Sequence, residues 1–155
     1  MAAMQLISLM LLSVLAADAQ VAMPGRCPKP AVHEDFDTAR YLGKWDEMQR
    51  LPQSVQRGQC STATYSLRSP GVVLNREPDS PPGPYWVLAS DYDNYALVYS
   101  CTGLGVVHMD SVWILSRRPA LAEETLEELH STLTSISVRA DQMISPNQDA
   151  AHARP

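Results

Sequence analysis

Basic residues are in short supply. Twelve Lys and Arg stand against seventeen Asp and Glu in 155 residues, a formal net charge of −5 at pH 7. A chain that grips phosphate backbones normally carries the opposite excess, so nucleic-acid binding is not expected. Phenylalanine is nearly missing, with one Phe against six Tyr and three Trp. An aromatic set with polar tips suits a half-polar cavity or a rim. Seven glycines rule out a collagen-like repeat, and a hydrophobic share of 45% rules out wholesale disorder. Long apolar runs are missing too. Leu6–Ala16 is the best of them and is too short to span a bilayer as a helix.

That run ends in Ala17-Asp18-Ala19, the small-x-small pattern a signal peptidase accepts. Residues 1–19 therefore read as a secretory signal peptide, the alternative being an uncleaved anchor. A single domain over 20–144 and a disordered tail over 145–155 are expected, in a secreted, extracellular protein with no transmembrane segment.

Catalytic motifs are also lacking. His33-Glu34-Asp35 opens like a zinc helix, but Asp37 stands where the second His belongs. The four histidines, at 33, 108, 130 and 152, show no metal-ligand spacing. Asp91 and Asp93 begin like a calcium loop, yet Tyr95 and Ala96 occupy its third ligand position and its glycine position. Gly103-x-Gly105 has no third glycine. Each reads as a turn or a solvated surface, so neither a catalytic residue, a metal nor a cofactor is expected.

Three cysteines, Cys27, Cys60 and Cys101, allow at most one internal bridge, and their count leaves all three pairings open. A bridge from Cys27 to Cys101 would be worth about 4 kcal/mol in the chain-entropy picture.

The rest is a run of short strands closed by one helix. Pro24, Pro28 and Pro30 make residues 20–34 an extended tail. Asp37 caps a helical turn through Arg40 that Gly43 ends. Residues 44–50 read as a strand led by Trp45, and Pro52–Gly58 as a loop. Cys60–Leu67 alternates, with Ala63, Tyr65 and Leu67 on one face. Ser69-Pro70-Gly71 is a turn before Val72–Leu74. Pro78, Pro81, Pro82 and Pro84 then exclude a paired strand. Tyr85–Ser90, Tyr95–Cys101 and Met109–Arg117 follow, the last with Trp113, Leu115 and Arg117 on one face. Beyond Pro119, Leu126, Leu129, Leu133 and Ile136 recur at helical spacing, and Glu123 and Glu124 suit the helix N-terminus.

Gly43-Lys44-Trp45 after a capped turn, Asp91-Tyr92-x-x-Tyr95 between strands, and Arg117 before a helix resemble the three conserved segments of lipocalins. Tyr41–Trp45, Pro84–Ala89, Asn94–Cys101 and Trp113–Leu115 resemble one branch of that family closely, over about Gly25 to Val138. The resemblance implies an all-β fold with one C-terminal α-helix, an antiparallel up-and-down barrel of eight strands around a small ligand. It also implies that Gly43, Trp45 and Arg117 seal one end, with the guanidinium across the indole. Tyr65, Leu67, Trp113 and Leu115 would line the pocket, and Cys27 would bridge to Cys101. The implied function is a carrier of a small hydrophobic molecule such as a fatty acid, a steroid or a similar lipid.

The chain departs from the family in three ways. Between Leu74 and Tyr85 the family carries roughly 30 further residues, enough for a fourth and fifth strand. Six of eight strands are therefore expected, and the barrel is expected to be small or open. Cys60 has no partner in the C-terminal tail, which makes it an unpaired thiol and a candidate for a disulfide-linked dimer. Thr64 stands where family members carry a glycosylated Asn, and the chain contains no Asn-x-Ser/Thr. Two further function classes follow: a scaffold with no working pocket that acts through surface or dimer contacts, and an isomerase with Cys60 as its thiol nucleophile. The latter lacks an activating base.

Overall fold

The computed structural model describes residues 22–52, 62–69, 72–75 and 85–146, with 62–69 and 72–75 described by their backbone. The signal segment, Cys60, the 76–84 bridge and residues 147–155 lie outside the described residues, as do most of the 52–58 loop and Pro70 and Gly71 of the expected turn.

Among the described residues, seven strands form one antiparallel sheet. They are β1 (Ala22–Pro24), β2 (Gly43–Arg50), β3 (Thr62–Ser69), β4 (Val72–Asn75), β5 (Trp86–Ser90), β6 (Tyr95–Gly103) and β7 (Val107–Ser116). The order is β4-β3-β2-β7-β6-β5, with β1 added beside β7. Six strands were expected, and β1 is the seventh. It arises in the proline-bearing tail because β2 leaves β7 at Trp113, freeing the edge at Val107–Met109 for Ala22–Pro24. Pro24 sits at the strand's last position, where a missing N–H costs little. The sheet does not close: among the described residues β4 and β5 are its two ends.

The β6–β7 ladder carries nine residue pairs and runs past the expected ends to Gly103 and His108. Its turn needs the left-handed backbone of Gly105, φ +88°. Asp37 caps α1 (Thr38–Tyr41), its carboxylate accepting the Arg40 N–H at 3.1 Å. The main helix, α2 (Glu123–Ser135), opens on Glu123 and Glu124. Leu129 and Leu133 are buried and Leu126 and Ile136 partly so, as the spacing required.

The strands' two faces make two cores. Leu97, Tyr99, Val112 and Ile114 meet Leu129 and Leu133 of α2 on the outer face. Ala96, Val98 and Leu115 meet Trp45, Tyr41 and Val87 on the inner face. Each fully buried aliphatic side chain contributes about 1.5–3 kcal/mol, so the helix is an integral half of the core. Beyond α2, Ile144 pairs with Arg50 in a single bridge.

Candidate functional site

One end of the sheet is packed by α1, β2, the β5–β6 turn and the end of β7. Gly43 takes φ +99°, and a Cβ there would stand 3.3 Å from a terminal nitrogen of Arg117. Glycine is thus required twice, by conformation and by close approach. The chain then places Trp45 fully buried, its indole N–H donating to the Tyr41 carbonyl at 2.8 Å. Arg117 lies 3.7 Å over the Trp45 ring centroid. Its guanidinium also donates to the carbonyls of Tyr92 (2.9 Å), Lys44 (2.8 Å), Arg40 (2.9 Å) and Tyr41 (3.2 Å). One cation thereby ties four segments together and serves the orphan carbonyls of the short helix. Burial lowers its pKa.

Tyr92 sits at φ +66° in the β5–β6 turn, buried against Phe36 and beneath the Arg40 guanidinium. Its hydroxyl accepts the Asp37 N–H at 2.9 Å. Asp91 fixes that turn by accepting the Asn94 and Tyr95 amides at 2.8 and 3.0 Å and the Asn94 side-chain amide at 2.7 Å. Burial pulls its pKa up, and these hydrogen bonds outweigh that and hold it below the ordinary value. The pair that began like a calcium loop is an Asx turn.

Directly opposed residues share a face, so the ladders define the inner surface row by row. At the floor, Glu47, Leu115 and Ala96 are aligned; above them come Arg50, Trp113 and Val98, then Ser111 and Ser100. Leu115 is 2% exposed and belongs to the floor with Trp45. Trp113 is half-buried and stands over that floor. The backbone register sets Tyr65 opposite Gly43 and Ala63 opposite Trp45, and Leu67 opposite Val73.

Glu47 and Arg50 form a buried ion pair at 2.9 Å on this surface, with side chains 3% and 7% exposed. The sequence did not single them out. Three positions apart on a regular strand they would point to opposite faces. The register shift between Glu47 and Gln49 turns both inward and sends Gln49 outward, where it accepts a hydrogen bond from His130 of α2.

Two other features lie outside this surface. A cleft of about 260 Å³ opens between the β5–β6 turn, the end of β7 and the start of α2, lined by Asp91, Asn94, Tyr95, Arg118 and Leu121 among others. At the far end from Trp45, Cys27 is bonded to Cys101, tying the tail to β6.

A family profile, the lipocalin / cytosolic fatty-acid binding protein family, matches residues 54–150. The chain belongs to the lipocalin family. The branch its segments resemble is apolipoprotein D: bovine (Bos taurus) apolipoprotein D is 40% identical over 166 aligned positions, covering 86% of this chain and 88% of the bovine protein. About 30 of those positions have no residue here, in keeping with the short span between β4 and β5. Lobster apocrustacyanin A1 shares the fold with a TM-score of 0.70 at 21% identity, over 84% of this chain and 92% of that one. Insecticyanin from the tobacco hornworm, Manduca sexta, gives 0.67 at 24%, over 86% and 92%.

Proposed function

We propose that this lipocalin is a secreted carrier that holds one small hydrophobic molecule, of the fatty acid, steroid or similar lipid class, against the inner face of β2, β6 and β7. The observation that carries this reading is the half-buried Trp113 standing over a floor of fully buried side chains. An apolar ligand body packs on the Trp113 ring, and its polar end meets the row containing Ser100 and Ser111 or the Glu47–Arg50 pair. Tyr65, by its register opposite Gly43, is assigned to the pocket wall with Leu67. Leu115 serves as its floor, and Gly43, Trp45 and Arg117 as its seal. No chemistry on the ligand is assigned. Secretion rests on the signal-like leader, and no helix among the described residues is long and apolar enough to cross a membrane.

Titration with a fluorescent fatty acid tests the reading. Saturable binding that Trp113→Ala weakens about tenfold supports it; no saturable binding overturns it. The unclosed sheet favours one competing reading, a scaffold without a working pocket. A folded, non-binding protein would establish that instead.

A further inference from the structure

We propose that reduction of the Cys27–Cys101 bridge creates a binding site for one zinc-type divalent cation, held by Cys27, Cys101, His108 and Asp110. The donors converge because of the β6–β7 register. Cys101 lies opposite Asp110, and His108, two residues before Asp110 on β7, shares its face. The Cys101 sulfur, a ring nitrogen of His108 and a carboxylate oxygen of Asp110 all lie within 4.8 Å of one another. Cys27 lies outside this three-donor group but is bonded to Cys101, so breaking the bond between the sulfurs frees a fourth donor beside it.

The outer partners of a metal site are present as well. His108 Nδ1 donates to the Gly25 carbonyl at 3.0 Å, which leaves the Nε2 lone pair for a cation. Nε2 stands 3.6 Å from Asp110 Oδ1, too far for a hydrogen bond. Two ligands at about 2.0–2.1 Å from a tetrahedral ion stand about 3.4 Å apart, so this spacing fits a shared metal. The Tyr99 hydroxyl donates to the same carboxylate at 2.6 Å, fixing its orientation. His108 and Asp110 side chains are 10% and 4% exposed, a buried imidazole and carboxylate that the ligand-binding reading does not use.

The bonded sulfurs are poor ligands, since the thiolate is the form that binds metal. A dithiol reductant supplies two electrons and two protons. The S–S bond breaks, two S–H bonds form, and the reductant closes its own disulfide. The cation then displaces both thiol protons and forms two metal–sulfur bonds. The tail stays attached to β6 through the metal where the covalent link is gone.

The test uses the Cys60→Ser protein, which leaves two cysteines, reduced with a dithiol, desalted without oxygen and titrated with Co²⁺. One Co²⁺ per chain is expected, with thiolate-to-cobalt absorption in the near ultraviolet and the intense visible bands of tetrahedral coordination. Zn²⁺ should bleach both. His108→Ala and Asp110→Asn should each weaken binding tenfold or more, and the oxidised protein should give no thiolate band. Absence of that band, or affinity unchanged by His108→Ala, overturns the proposal. If the reduced protein loses its near-ultraviolet dichroism, the doubly substituted Cys27→Ser, Cys60→Ser protein offers Cys101 as a thiol without reduction. It must then show a single-thiolate cobalt band that His108→Ala removes, and a missing band there also overturns the assignment.

Discussion

Gly43, Trp45 and Arg117 pack as one unit at one end of the sheet, and each fails differently. Gly43→Ala forces a side chain into left-handed backbone and against Arg117, at a cost of about 1–3 kcal/mol. Trp45→Ala empties a fully buried site and should cost about 3–5 kcal/mol, with binding affected only through folding. Trp113→Ala should do the reverse, weakening fatty-acid binding more than it lowers the urea midpoint. Equal effects of the two tryptophans on both properties would contradict the division between plug and wall. Asp91 adds a pH dependence. Its carboxyl pKa is lowered in the folded protein, so its contribution is complete above the ordinary carboxyl range and fades as pH falls through the folded value. The near-ultraviolet dichroism of the Tyr92 turn should therefore decline below about pH 4, and Asp91→Ala should remove that step.

At the scale of elements, the helix and the strands differ in what they needed from sequence. The α2 stripe was legible because one spacing, Leu126, Leu129, Leu133 and Ile136, places one face against the sheet. Leu133→Ala should cost about 2–5 kcal/mol, read from urea unfolding, since its side chain is fully buried between α2 and the sheet. The β6–β7 hairpin and the capped turn at Asp37 were legible for similar reasons, alternation and a short-range hydrogen bond. Two features were not. The bulge after Glu47 leaves no mark in residue types, yet it decides that Glu47 and Arg50 face inward together. The pairing of β1 depends on where β2 stops along β7, which is a tertiary fact and not a property of Ala22–Pro24. The inward pair carries its own prediction. Arg50→Met takes the guanidinium from a buried carboxylate and should cost about 3–5 kcal/mol in urea unfolding, whereas replacing both partners with apolar residues should restore much of it.

At the scale of the whole molecule, the deciding fact is that, among the described residues, β4 and β5 end the sheet without pairing with each other. Ends of this kind carry strand amides and carbonyls able to pair with a second chain. One end is partly covered: the His33 N–H donates to the Val87 carbonyl at 2.9 Å, and its ring donates to the Ser90 carbonyl at 3.0 Å. The proposed unpaired thiol of Cys60 would make such an association covalent in an oxidising compartment. Non-reducing electrophoresis should therefore show a dimer band that a dithiol removes. Cys60→Ser should abolish that band and leave the Cys27–Cys101 bridge in peptide maps. Inserting about 30 residues of strand-forming sequence between Asn75 and Pro84 should let the two ends close, raising fatty-acid affinity and reducing association together. The coupling of those two outcomes is the discriminating point, because a pocket lost for any other reason would not recover when the edges are paired. A strict monomer that binds fatty acid tightly without the insertion would mean that the short sheet already excludes both solvent and partners, and the edge argument would fail.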